Sequence, residues 1–188
     1  MRIIAGSLKR RNLTIPKGLE VRPTTDRVRE AVFNWIVNRI DLEDACVLDL
    51  FAGSGALAFE AISRGADDAL LVEKSQRVAE VIRQNSEHLG IADQVRVASG
   101  DVRTWLGRST HARFDLIFAD PPYDYPDFAP LPDAVMGHLT PDGVFVLEHG
   151  KPGQFEGHEC LVDQRRYGKS NIAFFRPKVD NGESPEDT

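Results

Sequence analysis

Apolar residues along this chain gather into short runs separated by segments of helical period. The runs beginning at Cys46, Ala69, Gln94, Phe114 and Val144 are rich in Val, Leu, Ile and Phe. Each reads as a strand buried on both faces. Between them, helices are expected over 56–61, from Ser75 to about His88, over 102–107 and, more loosely, over 127–138. Strand and helix in alternation predict an α/β fold with a doubly wound, mostly parallel sheet. Two further strands, at 158–164 and 170–176, read as an antiparallel pair closing it. Upstream, Val28, Val32, Trp35 or Ile36, and Ile40 form an apolar stripe that Phe33 broadens. That stripe predicts a helix over about 25–39, with Thr24 or Thr25 as its cap. Residues 2–5 and 12–15 read as two short strands of a hairpin around Gly6-Ser7-Leu8-Lys9-Arg10-Arg11.

With 188 residues and 41% hydrophobic content, the chain suits one globular domain with a substantial core. No apolar run approaches a membrane span, and Met1-Arg2-Ile3-Ile4-Ala5-Gly6 is too short for a signal peptide. The two cysteines, Cys46 and Cys160, sit at apolar positions and form no Cys-x-x-Cys. They read as free thiols of a cytoplasmic protein, with no metal site. Charge divides the chain. Residues 1–40 carry nine Lys and Arg against three Asp and Glu, a net +6. Residues 41–178 carry a net −8, and 179–188 a net −4. We therefore expect a basic N-terminal extension over 1–40, an acidic main body over 41–178 and a disordered acidic tail over 179–188. Lys9, Arg10 and Arg11 are suited to phosphates. Arg22, Arg27 and Arg29 can face a nucleic acid or the ligand pocket. Arg166 and Lys169, around Tyr167 at the tip of the last hairpin, are a second candidate RNA contact.

The chemistry concentrates at Asp120-Pro121-Pro122-Tyr123. Two prolines end the preceding strand, since neither can donate to a sheet ladder. An acid, bare carbonyls and an aromatic ring are thus held at a strand's C-terminal edge, where open α/β sheets bind ligands. The exocyclic amine of a nucleobase is a poor nucleophile because its lone pair is delocalised into the ring. Asp120 and the Pro121 carbonyl can accept hydrogen bonds from such an NH2 group and localise that pair. Tyr123 offers a face for a base taken out of its stack. His149, at the end of the last parallel strand, could assist proton removal or be an ordinary strand-end histidine.

A second motif, Asp49-Leu50-Phe51-Ala52-Gly53-Ser54-Gly55, follows the first central strand. It matches neither the dinucleotide nor the P-loop pattern. Asp49 would repel a pyrophosphate and suits an amino-bearing ligand. Gly53 and Gly55 let the backbone approach that ligand closely, with Phe51 and Ser54 in the same turn. Glu73, 20 residues after Gly53, ends the next strand, where an acid takes ribose hydroxyls. Lys74 follows it. Asp101 can accept from an adenine amino group with the Val102 N–H facing a ring nitrogen, and it can also cap a helix. Trp105 reads as packing.

Taken together, Asp49 to Gly55, Glu73, Asp101 and Asp120 to Tyr123 resemble a class I S-adenosylmethionine-dependent methyltransferase acting on an amino nitrogen. The opening Met1 to Gly6, the stretch Arg22-Pro23-Thr24-Thr25-Asp26-Arg27-Val28-Arg29-Glu30, and Arg166-Tyr167-Gly168-Lys169-Ser170 narrow the resemblance to the RsmD family, over about residues 1–177. The resemblance implies a seven-stranded Rossmann-like sheet with an antiparallel last strand, in a monomeric enzyme. It implies methylation of guanine N2 (position 966) in 16S rRNA of the small ribosomal subunit. It further implies that Asp49, Gly53 and Gly55 line the methionine end of S-adenosylmethionine, Glu73 the ribose and Asp101 the adenine. Asp120, Pro121 and Tyr123 would hold the guanine. Two other readings are an adenine-N6 DNA methyltransferase, for which the chain has little room for target recognition, and a ribosome-binding assembly factor without turnover.

Overall fold

The computed structural model describes residues 1–15, 26–108, 112–122, 124–168 and 170–178. Tyr123, Arg22, Lys169, the candidate caps Thr24 and Thr25, and the acidic tail lie outside the described residues. Seven strands form one sheet: β1 (Cys46–Asp49), β2 (Asp68–Glu73), β3 (Val95–Ser99), β4 (Phe114–Ala119), β5 (Leu139–His149), β6 (Leu161–Tyr167) and β7 (Ser170–Phe175), in the order β3-β2-β1-β4-β5-β7-β6. Strands β1 to β5 pair in parallel. Strand β7 runs antiparallel to both β5 and β6, as the sequence leads one to expect. Helices α1 (Asp26–Val37), α2 (Ala56–Ser63) and α3 (Gln76–Leu89) pack into the apolar cluster on one face, with Val47, Leu116 and Phe118. Helices α4 (Val102–Arg108) and α5 (Leu131–Met136) pack on the other, with Leu48, Ile117 and Phe145. Successive strand residues divide between the two clusters because side chains alternate across a strand. Both faces are covered, so the central strands are apolar throughout.

The sheet reverses its winding between β1 and β4. Asp49 is paired with Phe118, so Asp120 emerges beside and just beyond it. This is the switch point at which a crevice opens beyond the strand ends.

The N-terminal arm differs from the expected two-stranded hairpin. Only the Arg2–Asn12 bridge is of antiparallel type, supported by Ile3 N donating to the Arg11 carbonyl at 3.0 Å and Leu13 N to that of Met1 at 2.9 Å. The next donors turn elsewhere: Ile4 N and Ala5 N go to the carboxylate of buried Glu60 on α2, at 2.7 and 3.0 Å. Backbone donors need partners, and here a distant carboxylate outcompetes the ladder. Gly6 adopts φ +81° against α2, and Thr14 exchanges hydrogen bonds with Asn85 of α3.

Other departures are local. Thr140-Pro141-Asp142-Gly143 has the composition of a turn, yet these residues lie inside β5. Phe114 pairs with Leu139 and Leu116 with Val144, so the residues between bulge out of the ladder. Helix α5 is shorter than 127–138 because Pro130 and Pro132 confine its start to Leu131.

Candidate active site

Asp49 ends β1 with 3% of its surface exposed. Burial, and then the nearby Glu73 carboxylate, push its pKa from 3.8 up to about 7, while the backbone N–H groups of Phe51 and Ala58 favour the charged form. The chain then turns through Gly53 and Gly55, both at positive φ, into α2. A Cβ on Gly53 would meet nothing closer than 3.9 Å, so that position opens onto space a ligand can fill. A Cβ on Gly55 would come within 2.7 Å of the Phe59 ring, so this glycine lets the turn close on the helix behind it. Glu73 at the end of β2 accepts from Gly53 N at 3.1 Å and Ser75 N at 2.7 Å. These bonds orient its carboxylate at the glycine turn.

Asp49, Phe51, Gly53, Ser54 and Asp120 line one cavity of about 70 Å³, together with Met1 and Arg29. Asp120 is exposed at the mouth, Pro121 is half-buried, and the Pro122 carbonyl accepts from Tyr125 N at 3.0 Å. The two prolines therefore lead into a tight turn. Tyr125 packs edge-on against Phe51, with ring centroids 5.0 Å apart. Sequence reasoning passed over Tyr125. Its one signal was a second tyrosine two residues past the motif.

Asp101 and Lys74 stand apart from that cavity. They pair with each other at 3.4 Å, and Asp101 Oδ1 accepts from Arg103 N at 3.0 Å. Asp101 therefore caps α4, while Val102 is buried beneath it. With Trp105, Ser99 and Gly100, Asp101 lines a second cavity of about 200 Å³ at the ends of β2 and β3. Trp105 packs on Phe114 and His138, as expected of a packing residue.

The cations divide. Lys9, Arg10, Arg11, Arg27 and Arg166 are exposed, Arg11 donating to the His88 carbonyl at 2.7 Å and Arg166 to that of Gly168 at 3.2 Å. Arg29, expected among the RNA contacts, is 1% exposed and cannot touch a polymer. It faces the alternative anticipated for it, the ligand pocket. His149 is buried beside Phe128 and Phe155, and burial holds its pKa below the usual imidazole range, against the opposing effect of the Lys151 backbone. Among the described residues, no cluster of His, Cys, Asp or Glu could hold a metal, and no helix is long and apolar enough to cross a membrane.

Residues 1–176 match a family described as Conserved hypothetical protein 95. The chain is 32% identical over 185 residues to "Putative rRNA methyltransferase YlbH" of Bacillus subtilis (strain 168), covering 95% of this chain and 100% of that one. It is 41% identical over 123 residues to Ribosomal RNA small subunit methyltransferase D of Escherichia coli (strain K12); that alignment spans 65% of this chain and 60% of the relative. Among solved structures, "Putative methyltransferase yhhF from Escherichia coli" superposes with a TM-score of 0.80 at 29% identity, over 95% of this chain and 99% of that one.

Proposed function

This chain belongs to the RsmD family, and from that premise we propose that it methylates the exocyclic N2 of a guanine, position 966, in 16S rRNA of the small ribosomal subunit. The methyl donor is S-adenosylmethionine, and the enzyme acts as a monomer in the cytoplasm. One observation carries the reading: Asp120 shares a single cavity with Asp49, Gly53 and Ser54. The amine-binding motif and the glycine turn, 65 residues apart at their nearest, thus serve one site.

The residues present fit the donor. Gly53 leaves room beside a carboxylate cradle, and Asp49 matches an ammonium group. Glu73 can accept from vicinal ribose hydroxyls while its backbone bonds hold it in place. Asp101 and Val102 would face the adenine, with Lys74 steadying Asp101. The donor supplies a methyl group already activated by a sulfonium, so positioning can carry much of the rate. Asp120 and the Pro121 carbonyl accept hydrogen bonds from N2 of the flipped base, which Tyr123 supports from its face. Localised in this way, the N2 lone pair forms the new N–C bond as the S–C bond breaks. The N2 proton leaves to Asp120 or to water. Lys9, Arg10, Arg11, Arg27 and Arg166, joined by Arg22 and Lys169, form the phosphate-binding set, with residues 1–40 as the main footprint.

Transfer of labelled methyl from S-adenosylmethionine tests this on small subunits lacking the modification, on naked rRNA and on DNA. Label on guanine N2 of the subunits, lost in Asp120→Ala, is the expected result. Label on DNA adenine, or no transfer despite bound donor, would overturn it.

A further inference from the structure

Arg29 has work left undone. Its Nη2 donates to the Arg2 carbonyl at 2.7 Å and to Asp26 Oδ1 at 2.9 Å, which uses that nitrogen fully. Its Nε and Nη1 are buried and have no hydrogen-bond partner. A guanidinium does not shed its charge in a protein. Buried N–H groups of this kind are satisfied in almost all native structures, so an unmet pair calls for an acceptor. The residue lines the same cavity as Asp49 and Asp120, and among the described residues lining it no other side chain is cationic.

A cavity lined by two carboxylates and by a guanidinium with unmet donors is matched to a zwitterion. We infer that Arg29 binds the α-carboxylate at the amino-acid end of the methyl donor through an N–H of Nε or Nη1, while Asp49 takes the α-ammonium. This rests on the methyltransferase reading and deepens it. Asp26 and the Arg2 carbonyl fix the guanidinium before any ligand arrives, so little side-chain freedom remains to be lost on binding. Because Arg2 belongs to the N-terminal arm, seating of the arm on α1 and recognition of the donor meet at one side chain. An arginine that an amphipathic helix would ordinarily turn to solvent thereby becomes a determinant of which adenosyl sulfonium the site accepts.

Calorimetric titration with S-adenosylmethionine and with decarboxylated S-adenosylmethionine, which lacks only that carboxylate, tests the inference. A charge-assisted bond of this kind is worth about 10- to 100-fold in affinity. Wild-type protein should bind the decarboxylated compound weaker by that factor. In Arg29→Met the preference should vanish, because S-adenosylmethionine falls to the level of its decarboxylated form. Arg29→Lys, which keeps the charge beside Asp26, serves if the methionine variant does not fold, and should lose most of the preference. Equal wild-type affinities for the two compounds would overturn the inference. So would a variant that still discriminates, or one that weakens both compounds alike, as a merely structural arginine would. If wild-type protein binds neither compound, the methyl-donor reading itself falls, and the inference with it.

Discussion

Replacing Asp49 by asparagine should stabilise the ligand-free protein above neutral pH and weaken donor binding at the same time. The buried carboxyl is raised from 3.8 to about 7, first by burial and then by Glu73. Each tenfold change in proton affinity corresponds to about 1.4 kcal/mol, so the ionised form costs the fold about 4 kcal/mol at high pH. The folded state holds the proton more tightly than the unfolded chain. Stability from this group is therefore complete below 3.8, declines as pH rises and levels off beyond about 7. Between pH 5 and pH 8 the wild type should lose about 2.5 kcal/mol that the asparagine variant keeps. The variant carries a constant offset of about 1–3 kcal/mol for an amide NH2 without an acceptor. That offset displaces one curve against the other but cannot change their relative slope. Urea unfolding at a series of pH values, extrapolated to water, measures the difference directly. Curves that run parallel from pH 5 to pH 8 would refute the reasoning. Donor affinity of the wild type should rise with pH through about 7, as Asp49 ionises, and this rise should be absent from the variant.

Two further perturbations address the arm. A Cβ at Gly6 would lie 1.6 Å from the Ser63 carbonyl oxygen at a φ of +81°, so Gly6→Ala must lift the arm from α2. We expect a loss of about 2–4 kcal/mol in denaturant unfolding and loss of hydrogen-exchange protection at Ile4 and Ala5; retained protection would show that the arm is not held this way. Lys9, Arg10 and Arg11 together changed to alanine should weaken RNA binding and lower its salt slope by about 0.7–0.9 per lost phosphate contact, with donor affinity intact. An unchanged affinity and slope would remove the arm from the RNA footprint.

What the sequence made legible follows from strand direction. Asp49 ends one strand and Asp120 follows another in a sheet read as parallel, so both were expected at its C-terminal edge, and the structure adds that β1 and β4 are neighbours. The glycine turn was equally readable, since Gly53 and Gly55 both need a conformation that other residues avoid. The arm was not, because its donors are satisfied by Glu60, more than 50 residues away. No local pattern announces such a bond. Arg29 was only half legible for a related reason: nothing near it in the chain decides between polymer and pocket. In a helix whose charged residues otherwise face solvent, one arginine turns inward because Asp26 and a backbone carbonyl from the arm await it. Tyr125 acquires its partner Phe51 only when the loops after β1 and β4 meet.

Two costly features thus share one small cavity: a carboxyl that resists ionisation and a guanidinium with unmet donors. Either would be poor engineering for stability alone, since apolar residues of similar size would relieve both penalties. Opposite charges placed close enough would also have relieved them, yet Asp49 is raised rather than lowered, and Arg29 donates only through Nη2, to Asp26 and the Arg2 carbonyl. The two groups are held without neutralising each other. A ligand carrying its own ammonium and carboxylate would relieve both at once. Much of its affinity would then come from strain that the folded protein already bears.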